Sequence, residues 1–304
     1  MEEALPDITV AGHFAIDTIR LPNIPHPFVM LGGSVAYVSL VAKRLEANVQ
    51  VISRIGGDFP QAYTWWLKQE NIDLSGVVKY DSETTTRFAL EYSDDLSERT
   101  LKLKSRALPL ELKDLPANLN AKAIHVAPIA GEIAVDLVEH LRGCTDVLSL
   151  DPQGMLRRFD STGNASGCSL FDMRLLELVD VYKSSADEIC VLTGQSELEE
   201  AIKIVHKHGV KTVIVTIGGK GAMLSVEKTV YNIPACQPNA FVDPTGAGDA
   251  FIGGFLIEFV RAKDSFWCAC VGSAAASFVV ESLGLTCLGT KEEIYERANV
   301  IYEK

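Results

Sequence analysis

The sequence predicts an α/β protein in which a mainly parallel central sheet is covered by helices on both faces. Short apolar segments alternate with stretches of helical periodicity along most of the chain, which is the pattern of β-α-β units. One of these segments, Thr212–Thr216, is almost wholly apolar, as expected of a strand buried on both faces. With 304 residues, of which 47% are hydrophobic and 22% charged, the chain is long enough to bury a large core.

The first elements alternate between strand and helix. Ile8–Ala15 is predicted as a strand, and Val35–Glu46, whose apolar residues recur at a spacing near 3.6, as a helix. Val49–Ile55 is predicted as the second strand and Gln61–Gln69 as the next helix. Further elements are expected as buried strands at Ala123–Ala127, Asp146–Leu150 and Val179–Tyr182, and as closely packed helices at 247–260 and Ala274–Val280.

Two segments depart from this alternation and predict a small additional β-sheet. Residues 16–31 contain three prolines, which favours an extended edge over a helix. Within 77–108, alternating residues predict a hairpin that turns at 93–95, with Phe88, Leu90 and Tyr92 on one face of its first strand. We expect both insertions to form a lid on a single domain over residues 1–304, whose exposed edge could pair two copies of the chain. A sheet extension packed on the body is the alternative.

Charge and composition exclude several classes of protein. The chain has 28 basic and 40 acidic residues, a net charge of −12, which argues against nucleic-acid or anionic-membrane partners. No apolar run is long enough to span a membrane, and the acidic N-terminus does not resemble a secretory signal, so we expect a cytoplasmic protein. The seven cysteines form no C-x-x-C pair, which favours neither a disulfide framework nor a zinc site.

The segment Asp243–Gly254 (DPTGAGDAFIGG) carries the clearest chemical signal. The backbone N–H groups of Gly246, Ala247 and Gly248 precede a predicted helix, where they can bind an anion, and Asp249 follows in the first turn. Such a pair suits phosphoryl transfer, because the amides stabilise charge on the phosphate and the carboxylate accepts a proton from the attacking hydroxyl. An ordinary capped helix is the alternative. However, Gly253 and Gly254, at the end of this segment, favour close packing or close approach of a ligand, because glycine is otherwise unfavourable inside a helix.

The same segment, extended to Leu256, resembles the C-terminal signature of the ribokinase-like (PfkB) family of carbohydrate and nucleoside kinases. Other elements are similar to that family in the same order, namely Gly12–Asp17, Gly32–Gly33, Ile55–Asp58, Ser185–Glu188 with Leu192–Gly194, and Thr216–Gly221. The resemblance implies a three-layer α/β/α fold with a small β-sheet lid. It also implies an ATP-dependent enzyme that transfers the γ-phosphoryl group to a hydroxyl of a small sugar, polyol or nucleoside.

The resemblance assigns roles to individual residues. Substrate contacts are implied for Asp17, Gly32, Gly33 and Tyr37, and nucleotide contacts for Thr216, Gly218, Gly219, Gly221, Ser185, Ala274 and Ser277. Glu188 is expected to hold Mg²⁺ mainly through water, and Asp243 and Thr245 to hold the K⁺ that some family members use.

Two positions depart from the family pattern. For several others, a role that involves no ligand is the alternative. Tyr37 stands where many members have asparagine, and Ser185 replaces the asparagine of the magnesium motif. Asp17 could satisfy loop amides, Glu188 could be a solvated first-turn acid, and the turn at 218–221 could bind no ligand.

Other functions are less well supported. The chain contains no G-x-x-x-x-G-K-[ST] motif, and its first strand does not end in G-x-G-x-x-G, which argues against a P-loop or dinucleotide-binding enzyme. A ribose-like sugar or a cyclic polyol is the preferred acceptor and a nucleoside is the alternative. Tyr37 could stack on a base, which would favour a nucleoside, or merely pack beneath a sugar. No cluster of Lys or Arg lies near the predicted acceptor residues in the sequence, which disfavours an acceptor that already carries a phosphate. A non-catalytic ligand-binding regulator with the same fold is the alternative of another class.

Overall fold

Two sheets organise the protein in this computed structural model, which describes residues 5–22, 24–94, 99–168, 171–227 and 229–304. The strands are β1 (Ile8–Ala11), β2 (Ala15–Arg20), β3 (Phe28–Gly32), β4 (Val49–Gly56), β5 (Asp73–Tyr80), β6 (Thr86–Tyr92), β7 (Arg99–Ser105), β8 (Ala121–Val126), β9 (Thr145–Leu150), β10 (Arg157–Phe159), β11 (Ala165–Gly167), β12 (Val181–Ser185), β13 (Thr212–Thr216), β14 (Ala222–Val226) and β15 (Thr229–Ile233). The helices are α1 (Ser34–Arg44), α2 (Gln61–Gln69), α3 (Val135–Arg142), α4 (Ala186–Thr193), α5 (Leu198–Lys207), α6 (Ala247–Val260), α7 (Ser265–Val279) and α8 (Lys291–Tyr302).

The central sheet has the order β15-β14-β13-β12-β9-β8-β1-β4-β5. From β13 to β5 every neighbouring pair is parallel, and β14 and β15 add an antiparallel hairpin at one edge. One core, on the face that carries α1, α6, α7 and α8, is separated by the sheet from a second core that includes α3, α4 and α5. The predicted mainly parallel sheet with helices on both faces is confirmed.

The glycines inside α6 are explained by helix packing. A Cβ atom at Gly253 would lie 3.1 Å from the Val38 carbonyl oxygen of α1, and one at Gly254 would lie 3.1 Å from the Val271 carbonyl oxygen of α7. Two neighbouring helices therefore approach the backbone of α6 closely, and this contact compensates for the low helix propensity of glycine. Within the described residues, none of the helices is both long and apolar enough to cross a membrane.

The second sheet, which we call the lid sheet, has the order β3-β2-β6-β7. Strand β2 pairs antiparallel with β3 and parallel with β6, so both sequence insertions contribute to it. Its buried residues include Phe88 and Leu90 and pack with Ile129 of the loop after β8, while Tyr92 contacts this group at its edge. The small additional sheet is confirmed, and Asp95 of the predicted turn lies outside the described residues.

Several boundaries differ from the sequence prediction. Residues 77–80 belong to β5 of the central sheet and not to the second insertion, because they continue its parallel pairing with β4. The predicted strand Ile8–Ala15 is broken at Gly12, where the Ala127 carbonyl leaves no room for a side chain, and Ala15 begins β2. Helix α7 begins at Ser265, well before the predicted start, because the Asp264 carboxylate caps it by accepting from Trp267 N–H.

Candidate active site

The N-terminus of α6 is open toward a cavity. Gly246 precedes the helix with φ +81°, a conformation that favours glycine, and a Cβ atom there would overlap the Tyr37 ring. The Ala247 N–H donates to the Pro244 carbonyl oxygen at 3.2 Å. Among the described residues, the N–H groups of Gly246 and Gly248 have no acceptor. Two of the three predicted amides are therefore free to bind an anion, and the Ala247 amide is already used.

Asp249 lies in the first turn of α6 and lines the same cavity. The Gln153 side-chain amide donates to Asp249 Oδ1 at 3.3 Å and to Ser34 Oγ at 2.7 Å. Removal from bulk water raises the pKa of Asp249 to about 6, against the opposing effect of nearby Lys183. A carboxylate with this pKa is well matched to accepting a proton near neutral pH.

A buried ion pair lies beneath the start of α6. Lys183 Nζ is 2.6 Å from Asp151 Oδ2, and a Cβ atom at Gly248 would lie only 2.7 Å from that ammonium. Burial acts to lower the pKa of Lys183, but the charges of Asp151 and Asp249 hold it above its usual value. This pair was not anticipated from the sequence, although a lysine directly after the predicted buried strand Val179–Tyr182 was a usable signal.

Asp17 projects from β2 into the cavity beside the paired glycines. A Cβ atom at Gly32 would overlap the Asp17 carboxylate, so only glycine leaves room for it. Gly33 precedes α1 with φ +86°, and a side chain there would lie 2.5 Å from the His13 carbonyl oxygen. The structure thus brings Asp17, Gly33 and Asp249 to one cavity of about 70 Å³.

Tyr37 is buried in α1 and packs beneath Gly246. Tyr37 also lines the cavity, and its buried hydroxyl has no hydrogen-bond partner among the described residues. Burial, and then the charge of Asp17, raise the pKa of Tyr37 well above its usual value, so the hydroxyl stays neutral. Of the two sequence interpretations, the structure favours packing beneath the site.

The lid sheet supplies the apolar wall of the cavity. Phe88, Leu90 and Leu101 line it opposite the polar groups. Arg157 from β10 also lines it, and its guanidinium is 3.4 Å from Glu188 Oε1. Arg157 was not anticipated, because it belongs to none of the motifs that the sequence shares with the family.

Glu188 and Ser185 form a reciprocal cap at the start of α4. Ser185 Oγ accepts from the Glu188 N–H at 3.3 Å, and Glu188 Oε2 accepts from the Ser185 N–H at 2.9 Å. Glu188 is therefore an acid in the first turn of α4, as the simpler alternative from the sequence proposed. Its other carboxylate oxygen, Oε1, faces Arg157. Among the described residues, no group of three or more His, Cys, Asp or Glu side chains is placed to hold a metal.

Five of the seven expected nucleotide residues lie at or just after the carboxyl ends of β12 and β13. Thr216 ends β13 in register with Ser185, which ends β12. The space at the Cβ positions of Gly218 and Gly219 is open, whereas Gly221, with φ +95°, packs against the Ile233 carbonyl. An open glycine turn beside a strand end is compatible with a bound nucleotide.

The two predicted nucleotide residues of α7 are both buried. Ala274 is buried, and the Ser277 hydroxyl donates to its carbonyl oxygen and accepts from Arg297 of α8. This hydroxyl is therefore used in packing against α8. Ser273, which the sequence analysis did not single out, bonds instead to the chain after β15, donating to the Pro234 carbonyl and accepting from the Cys236 N–H.

Asp243 and Thr245 form a buried cluster with Tyr92 of the lid sheet. Asp243 Oδ1 accepts from the Thr245 N–H at 2.9 Å, the Thr245 hydroxyl at 2.6 Å and the Tyr92 hydroxyl at 2.8 Å. The other carboxylate oxygen, Oδ2, is buried and has no partner among the described residues. An orphaned buried carboxylate oxygen fits a monovalent cation.

Comparison with known proteins identifies the family. The sequence profile of the pfkB family carbohydrate kinases matches residues 7–291. The chain belongs to the pfkB family. The predicted family, its fold and the enzyme class, a phosphotransferase with an alcohol group as acceptor, are thereby confirmed.

Individual relatives cover most of the chain. The aminoimidazole riboside kinase of Salmonella typhimurium is 37% identical over 272 residues, 86% of this chain and 83% of that protein. The cytidine kinase of Thermococcus kodakarensis is 28% identical over 283 residues, 91% of this chain and 97% of that protein. The crystal structure of Methanocaldococcus jannaschii nucleoside kinase has a TM-score of 0.77 at 24% identity, with 98% of this chain and 100% of that chain covered.

Proposed function

We propose that this pfkB kinase transfers the γ-phosphoryl group of ATP to a hydroxyl of a small uncharged acceptor, with Asp249 as the general base. One observation carries the proposal. Asp249, Asp17 and Gly246, whose N–H group is free at the start of α6, all border one cavity. A base, an anion-binding site and an anchor for hydroxyls are the groups that this reaction needs.

In the proposed reaction, Asp17 and the backbone at Gly33 hold the acceptor, and Asp249 accepts the proton of the attacking hydroxyl. The new oxygen–phosphorus bond forms as the bond from the γ-phosphorus to the bridging oxygen breaks, and ADP leaves. The amides of Gly246 and Gly248 donate to the phosphoryl oxygens while negative charge moves across them. The lid sheet excludes water, which limits hydrolysis of ATP.

The donor is proposed to lie along the carboxyl ends of β12 and β13. Thr216, Gly218 and Gly219 would border the nucleotide, and Glu188 would orient waters of a magnesium ion bound mainly by the phosphates. When bound, that ion neutralises phosphate charge. Asp243, with its orphaned oxygen, would hold K⁺, and initial rates with and without potassium test this assignment.

The acceptor is proposed to be a ribose-like sugar or a cyclic polyol. The cavity combines one apolar wall with the carboxylate of Asp17, which can accept hydrogen bonds from two hydroxyls of such an acceptor. A nucleoside is the second candidate, because the relatives named above include riboside and nucleoside kinases.

A panel of acceptors tests the substrate class. Turnover should be measured with ribose, fructose, myo-inositol, cytidine and adenosine, as ADP release when ATP is the donor and, separately, as release of inorganic phosphate when pyrophosphate is the donor. We expect turnover with ATP and a single-ring acceptor, and kcat/KM at least about tenfold lower for nucleosides. Preference for a nucleoside would reverse the order of the candidates. Tight acceptor binding without any turnover would support the non-catalytic regulator instead.

The pKa of Asp249 predicts the pH dependence. Its carboxyl must be deprotonated to act as a base, so kcat/KM, which follows the pKa of the free enzyme, should fall about tenfold per pH unit below pH about 6. Lys183→Met removes the cation that lowers this pKa, so the acidic limb should move to higher pH. Profiles of kcat/KM against pH for both proteins measure the shift. An acidic limb near the ordinary aspartate pKa of about 4 would contradict the assignment.

A further inference from the structure

A hairpin formed by β10 and β11 connects the lid sheet to the cavity. The Leu103 N–H of β7 donates to the Gly163 carbonyl oxygen in the turn of this hairpin at 2.8 Å. The ring of Phe159, in β10, packs against Phe88 of β6 with 6.0 Å between the ring centroids. Two strands of the lid sheet therefore hold the hairpin, and a movement of the sheet would displace it as well.

Arg157, the first residue of β10, extends from this hairpin into the cavity beside Gly246 and Asp249. Its guanidinium is 3.4 Å from Glu188 Oε1, which is long for a charge-assisted hydrogen bond, normally about 2.7–2.9 Å. The buried pair of Arg54 and Asp114, by comparison, is 2.7 Å apart. The other Arg157 donors have no partner within the described ranges, so this cation is loosely held and largely available.

We propose that Arg157 donates to the transferring phosphoryl group and that the lid sheet sets its position. The inference rests on the proposed function, to which it adds a residue that no sequence motif marks. The free amides of α6 supply partial positive charge from one helix end, whereas a guanidinium supplies a full charge with planar paired donors suited to phosphate. Glu188 holds the guanidinium until a donor phosphate binds, and proton transfer to Asp249 is unchanged.

The adjacent residue offers a matched control. Arg158 belongs to the same short strand and carries the same charge, but its side chain is exposed to solvent. Arg157→Met and Arg158→Met therefore change the net charge and the hairpin composition equally. They differ in whether the lost cation faces the cavity.

The first test compares kcat for these two variants with ATP and the best acceptor. Arg157→Met should lose at least about 10²-fold in kcat and Arg158→Met less than about twofold. Added guanidinium chloride at millimolar concentration should restore part of the activity of Arg157→Gly, which a purely structural role would not allow. Equal kcat for the two methionine variants, or a loss that guanidinium does not relieve, would overturn the proposal.

A binding measurement decides the same point without turnover. Calorimetry should give the Kd of ADP and of a non-hydrolysable ATP analogue for the wild-type protein and Arg157→Met. We expect the preference for the triphosphate over ADP to fall at least about tenfold, with ADP affinity unchanged. Equal weakening of both ligands would overturn the assignment of Arg157. A wild-type protein that phosphorylates no acceptor would count against the proposed function, while the ratio of Kd values would still decide this inference.

Discussion

Replacing Asp249 with asparagine is expected to lower kcat by at least about 10²-fold while leaving ATP affinity nearly intact. Asparagine has nearly the same shape and can still accept a hydrogen bond from Gln153, which lies 3.3 Å from the present carboxylate. Its amide cannot take the proton of the attacking hydroxyl. ADP release and calorimetric ATP binding measure the two quantities separately.

Asp187→Asn provides the matched control. Asp187 is also an aspartate in the first turn of a helix, α4, but it is exposed to solvent. If the role of Asp249 were only to complement the helix dipole, the two variants would behave alike. Near-normal turnover by Asp249→Asn would reject its assignment as the base.

Gly246→Ala should cause the second largest loss, with kcat reduced about 10²-fold. A left-handed conformation costs a non-glycine residue about 1–2 kcal/mol, and the new methyl group would also overlap the Tyr37 ring. The turn must shift to relieve that overlap, which moves the free amides of α6 away from the phosphate. Initial rates report the loss of kcat, and a thermal melt reports the loss of stability.

Gly194→Ala separates backbone strain from displacement of the site. Gly194 ends α4 with φ +70°, and nothing lies within 4 Å of a Cβ atom built there. The substitution should lower the melting temperature and preserve kcat. If Gly246→Ala and Gly194→Ala had equal kcat, the proposed role of the turn at Gly246 would be wrong.

The sequence was most informative where the signal was local. Thr212–Thr216 is an interior strand of the central sheet, as predicted, because its apolar residues satisfy both faces of the sheet. The GAGD run begins α6, since Gly246 can adopt the positive φ that the turn requires. At Gly253 and Gly254 the sequence left packing and ligand approach open, and the contacts with α1 and α7 decide for packing.

Long-range contacts were beyond the reach of the sequence. Arg157 and Glu188 are 31 positions apart, and Lys183 and Asp151 are 32 apart, so no short motif joins them. The side-chain direction of Ser277 depends on α8, which periodicity within α7 cannot show. Residues 77–80 alternate as strands in either sheet, and only their pairing partner distinguishes the two.

A crystal structure with ADP, magnesium, a planar metal-fluoride mimic of the phosphoryl group and the best acceptor would test the central claim most directly. The acceptor hydroxyl should lie within about 3 Å of an Asp249 carboxylate oxygen, with the mimic within about 3 Å of the Gly248 nitrogen. A mimic bound away from the start of α6, or an acceptor hydroxyl directed away from Asp249, would contradict the account.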